Sequence, residues 1–335
     1  MKVLITGGTG MLGHQVVKAF AKDPKNEVIY TTRPNSTKNA KFAAGLGKNA
    51  RNIEVDLLKN QYFLFDNPDT YSNLDVIINC AGLIKPDMAN YSNSDFMKMN
   101  VSLPLALSIF ASGYTASFIN ISTDCVFCGY PGQINYHELN NGYKENDDVF
   151  YGDIYSNSKS CGEDVINNAY GINNAYGINI RTSIIGKELT QGDKPRSLLS
   201  WYLNELEKAK RIASNGTKIN GFENHFWSGL TTNQLAKILV YISDFNFRGY
   251  LAEKTYHIFS DRVSKFELLN KINKQFGGEK YLTVEKVRAE EDCDRSLDSI
   301  YSLCSKLKIP SIDQQIKEMF EEDFKEDFKE DFEKI

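Results

Sequence analysis

The sequence of 335 residues has no surplus of positive charge. Its 39 Lys and Arg residues are outnumbered by 43 Asp and Glu residues, which gives a formal net charge of -4. A protein that binds nucleic acid needs a basic surface to neutralise the phosphate backbone. The composition therefore argues against nucleic acid as a partner, and an anionic substrate would need locally placed Arg or Lys residues.

Long apolar runs and a cysteine framework are lacking as well. The chain passes from Met1-Lys2 into the short run Val3-Leu4-Ile5 and then into glycines, which is too little for a signal peptide or a membrane span. We therefore expect a cytoplasmic protein without a membrane partner. The six cysteines are scattered, and no second Cys or His pair stands at zinc-like spacing from Cys125-Val-Phe-Cys128, so we expect free thiols and no metal.

The first half of the chain alternates short apolar runs with helical patterns, which is typical of βαβ units. Helices are predicted over His14 to Ala21, Ser94 to Ala111 and Ser156 to Ala169. We predict an α/β fold, with a Rossmann-type doubly wound parallel sheet and a smaller C-terminal α/β substrate lobe. The predicted strands are Lys2 to Thr6, Glu27 to Thr32, Asn52 to Asp56, Val76 to Asn79, Ser117 to Ser122 and Asn179 to Thr182.

A glycine-rich segment, Thr6-Gly-Gly-Thr-Gly-Met-Leu-Gly13, follows the first predicted strand and opens the first predicted helix. In this context glycines permit a tight turn, close approach to a pyrophosphate and close packing of helix on strand. The helix N-terminus then points at the phosphates. We predict dinucleotide binding by Gly7, Thr9, Gly10, Met11 and Leu12.

The second predicted strand is followed by Arg33 and not by a carboxylate. An NAD site usually presents an acidic side chain there to the ribose 2'-hydroxyl, whereas an arginine can pair with a 2'-phosphate. NADPH is therefore the predicted cofactor, and NADH is left open. Residues at the ends of the third and fourth strands are predicted to line the adenine and ribose, namely Asp56, Leu57, Cys80, Ala81 and Gly82.

Tyr155 and Lys159 lie four residues apart on a predicted helix, which places both side chains on one face. A Lys cation stabilises a phenolate, so Lys159 is expected to lower the pKa of Tyr155 and to bind the nicotinamide ribose. Thr123 stands at the carboxyl end of the fifth strand and can hold a carbonyl oxygen beside the phenol. We predict a catalytic set of Thr123, Tyr155 and Lys159.

Five short motifs together resemble the extended short-chain dehydrogenases/reductases, and most of all the dTDP-4-dehydrorhamnose reductase family. They are Thr6 to Gly13, Asn79-Cys-Ala-Gly82, Ser122-Thr-Asp-Cys-Val-Phe127, Tyr155-x-x-x-Lys159 and Cys161-Gly-Glu163. The resemblance implies a catalytic hydroxyl at Thr123, a proton donor at Tyr155 and a C-terminal lobe that grips a sugar nucleotide.

Two positions depart from the family pattern, because Cys125 and Cys128 stand where the family commonly has Tyr and Asp. Related dehydratases carry a Glu at the position of Cys125, so dehydration is disfavoured. The predicted substrate-binding residues are Thr123, Asp124, Cys125 and, from an aromatic loop, Trp227. Core packing is the alternative for Trp227.

The expected reaction is NADPH-dependent reduction of the C4 keto group of a nucleotide-linked 4-keto-6-deoxy-L-hexose, of the dTDP- or UDP-4-dehydrorhamnose type. Three alternatives stay open. They are a reductase of UDP-2-acetamido-2,6-dideoxy-L-hexulose, a nucleotide-sugar epimerase, and a non-catalytic NADP-binding subunit such as the regulatory β subunit of methionine adenosyltransferase. A homodimer is also left open.

We place residues 1–185 in the NADP-binding domain and residues 186–318 mainly in the substrate lobe, which can exchange elements with the first domain. Residues 319–335 form a charged tail in which Phe recurs every fourth residue from Phe320. Residues 168–173 are repeated directly as 174–179, so we expect one copy to be a surface insertion.

Overall fold

The computed structural model describes residues 1–36, 42–129, 142–150, 152–169, 177–189, 195–212, 216–244, 247, 251, 254–325 and 327. The strands in chain order are β1 (Lys2–Thr6), β2 (Glu27–Thr32), β3 (Ala50–Glu54), β4 (Val76–Asn79), β5 (Ser117–Ile121), β6 (Gly177–Arg181), β7 (Ile184–Ile185), β8 (Thr217–Phe222), β9 (His225–Trp227), β10 (Leu230–Thr231), β11 (Thr255–His257), β12 (Val263–Ser264), β13 (Leu282–Val287) and β14 (Cys293–Asp294). The α-helices are α1 (Gly13–Ala21), α2 (Phe63–Asp66), α3 (Pro68–Tyr71), α4 (Asn93–Met97), α5 (Leu103–Gly113), α6 (Ile154–Ala169), α7 (Leu198–Ile212), α8 (Thr232–Ser243), α9 (Lys265–Gln275), α10 (Leu303–Leu307) and α11 (Ile312–Asp323).

The chain divides into two compact units. Unit 1 comprises Met1–Phe127, Val149–Thr182 and Leu235–His257, and unit 2 comprises Cys128–Asp148, Ser183–Gln234 and Ile258–Ile335. Segments of the two units alternate along the chain, and the prediction of a boundary at residue 185 allowed for such an exchange of elements. Residues near 255 belong to unit 1 because β11 pairs with β6 as an additional parallel strand.

Unit 1 is built on a seven-stranded parallel sheet with the order β11-β6-β5-β4-β1-β2-β3. The strand order reverses at β1 and β4, and open α/β sheets bind their ligands at the carboxyl ends of strands flanking such a point. Strands β1, β4 and β5 are almost wholly buried, as expected for a parallel sheet covered on both faces. The predicted Rossmann-type sheet is confirmed.

The helix predicted from Ser94 to Ala111 is interrupted by a π turn over Lys98–Ser102. Pro104 has no N–H to donate to the carbonyl of Asn100, one turn earlier, so the regular helical pattern cannot continue there. The buried side chain of Asn100 also bonds outside the helix. Periodicity alone predicts a continuous helix because both flanking segments share one apolar face.

Unit 2 has short sheets β10-β7, β12-β9-β14 and β13-β8, with a core to which α7, α9 and α11 contribute. Phe320 and Phe324 are buried in that core. The predicted tail from residue 319 therefore begins with packed helix, while most of its remainder and residues 170–176 of the duplication lie outside the described residues. No helix in the described part of the chain is both long and apolar enough to cross a membrane.

Candidate cofactor-binding and active site

The glycine segment forms a tight turn between β1 and α1. Gly7 has a φ of +69°, and the amide of Gly10 donates to the carbonyl of Gly7 at 2.8 Å. A Cβ atom at Gly7 would lie 3.0 Å from Cα of Ala81, and one at Gly13 would overlap the carbonyl oxygen of Gly7. The turn therefore needs glycine at these positions and touches the segment after β4, so two predicted cofactor-binding segments meet.

The N-terminus of α1 is free of competing negative charge. Leu12 provides no side-chain cap, and the first turn contains no acidic residue. The positive end of a nine-residue helix without a side-chain cap suits a phosphate. Gly10 is exposed, and Thr9 and Met11 are partly exposed beside it, whereas Leu12 is buried and packs inside the protein.

Arg33 is exposed directly after β2, as the NADPH prediction requires. The structure also places a carboxylate near the end of β2, and this carboxylate belongs to Glu54 of the neighbouring strand β3. Glu54 ends β3 opposite Thr32 of β2, and its Oε2 accepts from the amide of Asn35 at 3.5 Å. The charge at this edge therefore comes from two strands, and the pairing of strands far apart in sequence hides Glu54 from a reading of β2 alone.

The residues predicted to line the adenine and ribose differ in their surroundings. Asp56 accepts from the amide of Leu58 at 3.2 Å and lies 3.6 Å from the Lys59 ammonium, so it closes a turn. Leu57 is buried in the core. Burial raises the pKa of Cys80 to about 12, which keeps it a neutral thiol. The cofactor role of these residues stays a prediction.

Thr123 and Tyr155 meet at the carboxyl end of β5. Oγ1 of Thr123 accepts from the amide of Cys125 at 3.1 Å and donates to Oδ1 of buried Asp124 at 3.2 Å. The buried phenol of Tyr155 forms a side-chain hydrogen bond with Thr123. Two hydroxyl groups thus converge where the sequence predicts them, and the backbone and Asp124 hold Thr123 in place.

Lys159 is buried one turn after Tyr155, and its Nζ donates to the carbonyl of Ile121 at 3.0 Å. Burial lowers the pKa of Lys159 to about 8, and the nearby Glu163 acts in the opposite direction. The pKa of Tyr155 is raised in this structure, and the lowering expected from Lys159 stays a prediction. Burial raises the pKa of Tyr155, as would a thiolate at Cys125, while the hydrogen bond to Thr123 lowers it.

The sequence prediction missed Asn100, which joins three parts of the site. Its amide group donates to the carbonyl of Leu83 at 3.0 Å and to Oγ of Ser158 at 2.9 Å, and its Oδ1 accepts from the amide of Leu83. A Cβ atom at Gly82 would lie 2.8 Å from Oδ1 of Asn100 and 3.2 Å from Nζ of Lys159. Gly82, Asn100 and Lys159 are therefore in close contact.

A buried hydrogen-bond ladder crosses the strands beneath these groups. It runs from Thr6 to Asn79 at 2.6 Å, from Asn79 to Asn120 at 2.9 Å and from Asn120 to Asn179 at 2.9 Å. Buried amides cost free energy unless they are bonded, and each amide here has a partner. In the sequence this ladder is indicated by an Asn among the apolar residues of each of the strands β4, β5 and β6.

A second buried network, also missed, lies at the next turn of α6. Glu163 accepts from Oγ of Ser122 and pairs with Arg181 on β6, with Nη2 to Oε2 at 2.7 Å and Nε to the two carboxylate oxygens at 3.0 and 3.1 Å. Both partners of this ion pair are almost wholly buried.

Trp227 lies on β9 in the core of unit 2. It is only 4% exposed, and its indole N–H donates to Oγ of Ser183 at 2.8 Å. This environment favours the packing alternative, and substrate binding by Trp227 stays a prediction. Cys125 and Cys128 are not joined in a disulfide, and the described residues contain no cluster of three or more His, Cys, Asp or Glu suited to a metal ion.

Comparison with known proteins extends over nearly the whole chain. Residues 1–331 match the family model described as RmlD substrate binding domain. A search of curated proteins finds no match.

Three similar solved structures illustrate the range of relatives. A dTDP-4-dehydrorhamnose reductase from Clostridium acetobutylicum shares 19% identity, covers 96% of this chain and 99% of its own, and gives a TM-score of 0.65. The Bacillus anthracis reductase in complex with NADP gives the same four values. A UDP-N-acetylglucosamine 4-epimerase from Bacillus cereus shares 18% identity, covers 95% and 98%, and gives a TM-score of 0.70. At these identities the structural likeness shows the fold.

Proposed function

The chain belongs to the family of the RmlD substrate binding domain, and from this premise we propose that it reduces the C4 keto group of a nucleotide-linked 4-keto-6-deoxy-L-hexose. Family membership confirms two predictions, the resemblance to this family and the assignment as an NADP-dependent oxidoreductase of the short-chain dehydrogenase/reductase class. Five further points remain proposals. They are the identity of the substrate, the roles of the site residues, the binding of the sugar nucleotide by unit 2, the cytoplasmic location and the formation of a homodimer.

The observation that carries this proposal is the convergence of the hydroxyl groups of Thr123 and Tyr155 with Lys159 one turn away. In the proposed reaction the Thr123 hydroxyl turns from Asp124 to the keto oxygen, and Tyr155 donates its proton to the same oxygen as negative charge develops there. The raised pKa of Tyr155 keeps it in the phenol form that a proton donor requires. The Lys159 cation then stabilises the phenolate that remains.

The residues of unit 1 fit a dinucleotide phosphate. The positive end of α1 has no side-chain cap, and the close contact of Gly7 with Ala81 leaves little side-chain bulk at the turn. We propose that this turn holds the pyrophosphate, that Arg33 pairs with the 2'-phosphate, and that Lys159 binds the ribose. NADPH supplies the hydride when it is bound.

The epimerase alternative has a structural neighbour of the same fold, and its chemistry returns the hydride, so no cofactor is consumed overall. A reductase consumes one cofactor molecule for each product. The two functions therefore differ in stoichiometry, although Tyr155 and Lys159 would serve both.

A direct test supplies the purified full-length chain with dTDP- and UDP-linked 4-keto-6-deoxy sugars, with and without a 2-acetamido group, together with NADPH or NADH. We expect the nicotinamide absorbance to fall with NADPH and one class of sugar nucleotide. No decrease with any member of the panel, despite measurable NADPH binding, would favour the non-catalytic NADP-binding subunit.

A further inference from the structure

Two consecutive residues at the end of β5 are fastened to two successive turns of α6. Lys159 donates to the carbonyl of Ile121 at 3.0 Å, and Glu163 accepts from the hydroxyl of the next residue, Ser122. Thr123 follows directly. The spacing of four residues places Lys159 and Glu163 on the same helix face, so one acidic side chain lies beside the predicted catalytic cation and at the strand end that carries Thr123.

We propose that Glu163 is a positioning residue for the reduction: it fixes the end of β5 before Thr123 and holds a negative charge beside Lys159 that keeps this lysine cationic. The role rests on the proposed function, since Lys159 acts on Tyr155 in that reaction. Arg181 anchors Glu163 from β6 through hydrogen bonds of Nε and Nη2 to the carboxylate.

The surroundings of Lys159 leave Glu163 as its principal source of negative charge. Burial lowers the pKa of Lys159 to about 8, while Glu163, and after it Cys80, raise it. Cys80 has a raised pKa of about 12 and is a neutral thiol near pH 8, so it supplies little charge there. The π turn presents the uncharged amide of Asn100.

The remaining charged groups around α6 act on its first turn or on Glu163. Asp124 and Asp153 raise the pKa of Tyr155, and Asp153 is paired with Lys85 at 2.9 Å. Arg181 bonds the Glu163 carboxylate. A change at Glu163 should therefore appear in the titration of Lys159, which a purely structural role of the ion pair would leave unmoved.

The test follows the Cε chemical shift of Lys159 against pH in the full-length chain made with isotope-labelled lysine, with the signal assigned by its loss in Lys159→Arg. For Glu163→Gln we expect the titration midpoint to fall by about one pH unit, because the opposite charge is lost. The alkaline limb of kcat/KM should move by the same amount. Asp164→Asn, which removes an exposed acid at the next position of α6, should leave the midpoint unchanged.

A second variant guards against a folding defect. Glu163→Gln combined with Arg181→Met removes both buried charges, and neutral replacement of a whole buried pair is often tolerated. We expect the same downward shift, because Arg181 acts on the carboxylate. An unchanged midpoint in either folded variant would overturn the proposal. If the wild-type chain reduces no keto sugar while the midpoint still shifts, the reaction proposal fails and the charge relation stands.

Discussion

The strand ends of unit 1 bury polar side chains, whereas the segment around Trp227 in unit 2 buries an aromatic one. In unit 1 the asparagine ladder, Lys159 and the Glu163–Arg181 pair are enclosed and bonded. In unit 2 the indole of Trp227 is enclosed with a single bond to Ser183. Burying an aromatic ring stabilises a fold by itself, but buried polar groups cost free energy unless they are paired. We therefore propose a chemical role for the first region and a packing role for the second.

Tyr155→Phe removes the proton donor and should have the largest effect. We expect kcat to fall by about 100- to 10,000-fold, the usual contribution of a general acid, while NADPH affinity changes less than about threefold. Steady-state assays and a binding titration measure the two quantities. Tyr202→Phe, which removes a buried phenol hydroxyl bonded to Asn273 in unit 2, is the control and should keep wild-type kcat. Comparable losses of kcat in both variants would contradict the assignment of the proton donor to unit 1.

The pH dependence tests the charge of Lys159. Its pKa is lowered to about 8, so the side chain is cationic below that pH and neutral above it. Because kcat/KM for the sugar nucleotide reports the enzyme before it binds the sugar, it should fall above about pH 8 with a slope approaching tenfold per pH unit. The measurement is a kcat/KM profile with NADPH held saturating. A profile that is flat through this range would show that the cation is not needed.

Arg33→Ala sharpens the cofactor assignment at the edge of β2 and β3. Loss of the pairing with a 2'-phosphate should raise the Kd for NADPH about tenfold and leave that for NADH nearly unchanged. Glu54→Gln is the matched variant and should tighten NADPH binding several-fold, because it removes a like charge. Equal effects of Arg33→Ala on both cofactors would contradict a 2'-phosphate contact.

Trp227→Phe should have the smallest catalytic effect. The smaller ring leaves the hydroxyl of Ser183 without the indole donor, so we expect unfolding stability to fall by about 1–2 kcal/mol. The value of kcat/KM should stay within about threefold of wild type. Urea unfolding and steady-state kinetics give both numbers. A large increase in KM with unchanged stability would show instead that Trp227 contributes to substrate binding.

The sequence predicts β1, β2 and β4 with the bounds that the structure has, because strong apolar runs end in Gly or polar residues. It also predicts that Thr123 and Tyr155 meet and that Lys159 lies one helical turn after Tyr155, since a strand end and helix spacing define their places. The predicted third strand is two residues late, because β3 is a half-exposed edge strand with little apolar pattern.

Contacts between residues distant in the chain could not be predicted. Glu54 reaches the end of β2, Asn100 reaches Leu83 and Ser158, and Arg181 reaches Glu163 only after the sheet and helices have assembled. The raised pKa of Tyr155 follows from the burial of its phenol, and the spacing of Tyr155 and Lys159 in the sequence does not predict this burial. The family motifs indicated the chemistry, while the packing around them determines its electrostatics.

The central claim is that hydride leaves the cofactor and stays in the product. NADPH that carries deuterium on the transferred position of the nicotinamide, incubated with the accepted sugar nucleotide and the full-length chain, tests it directly. We expect one deuterium at C4 of the product sugar for each NADPH consumed. Conversion of the sugar without deuterium at C4 or without net NADPH consumption would contradict it.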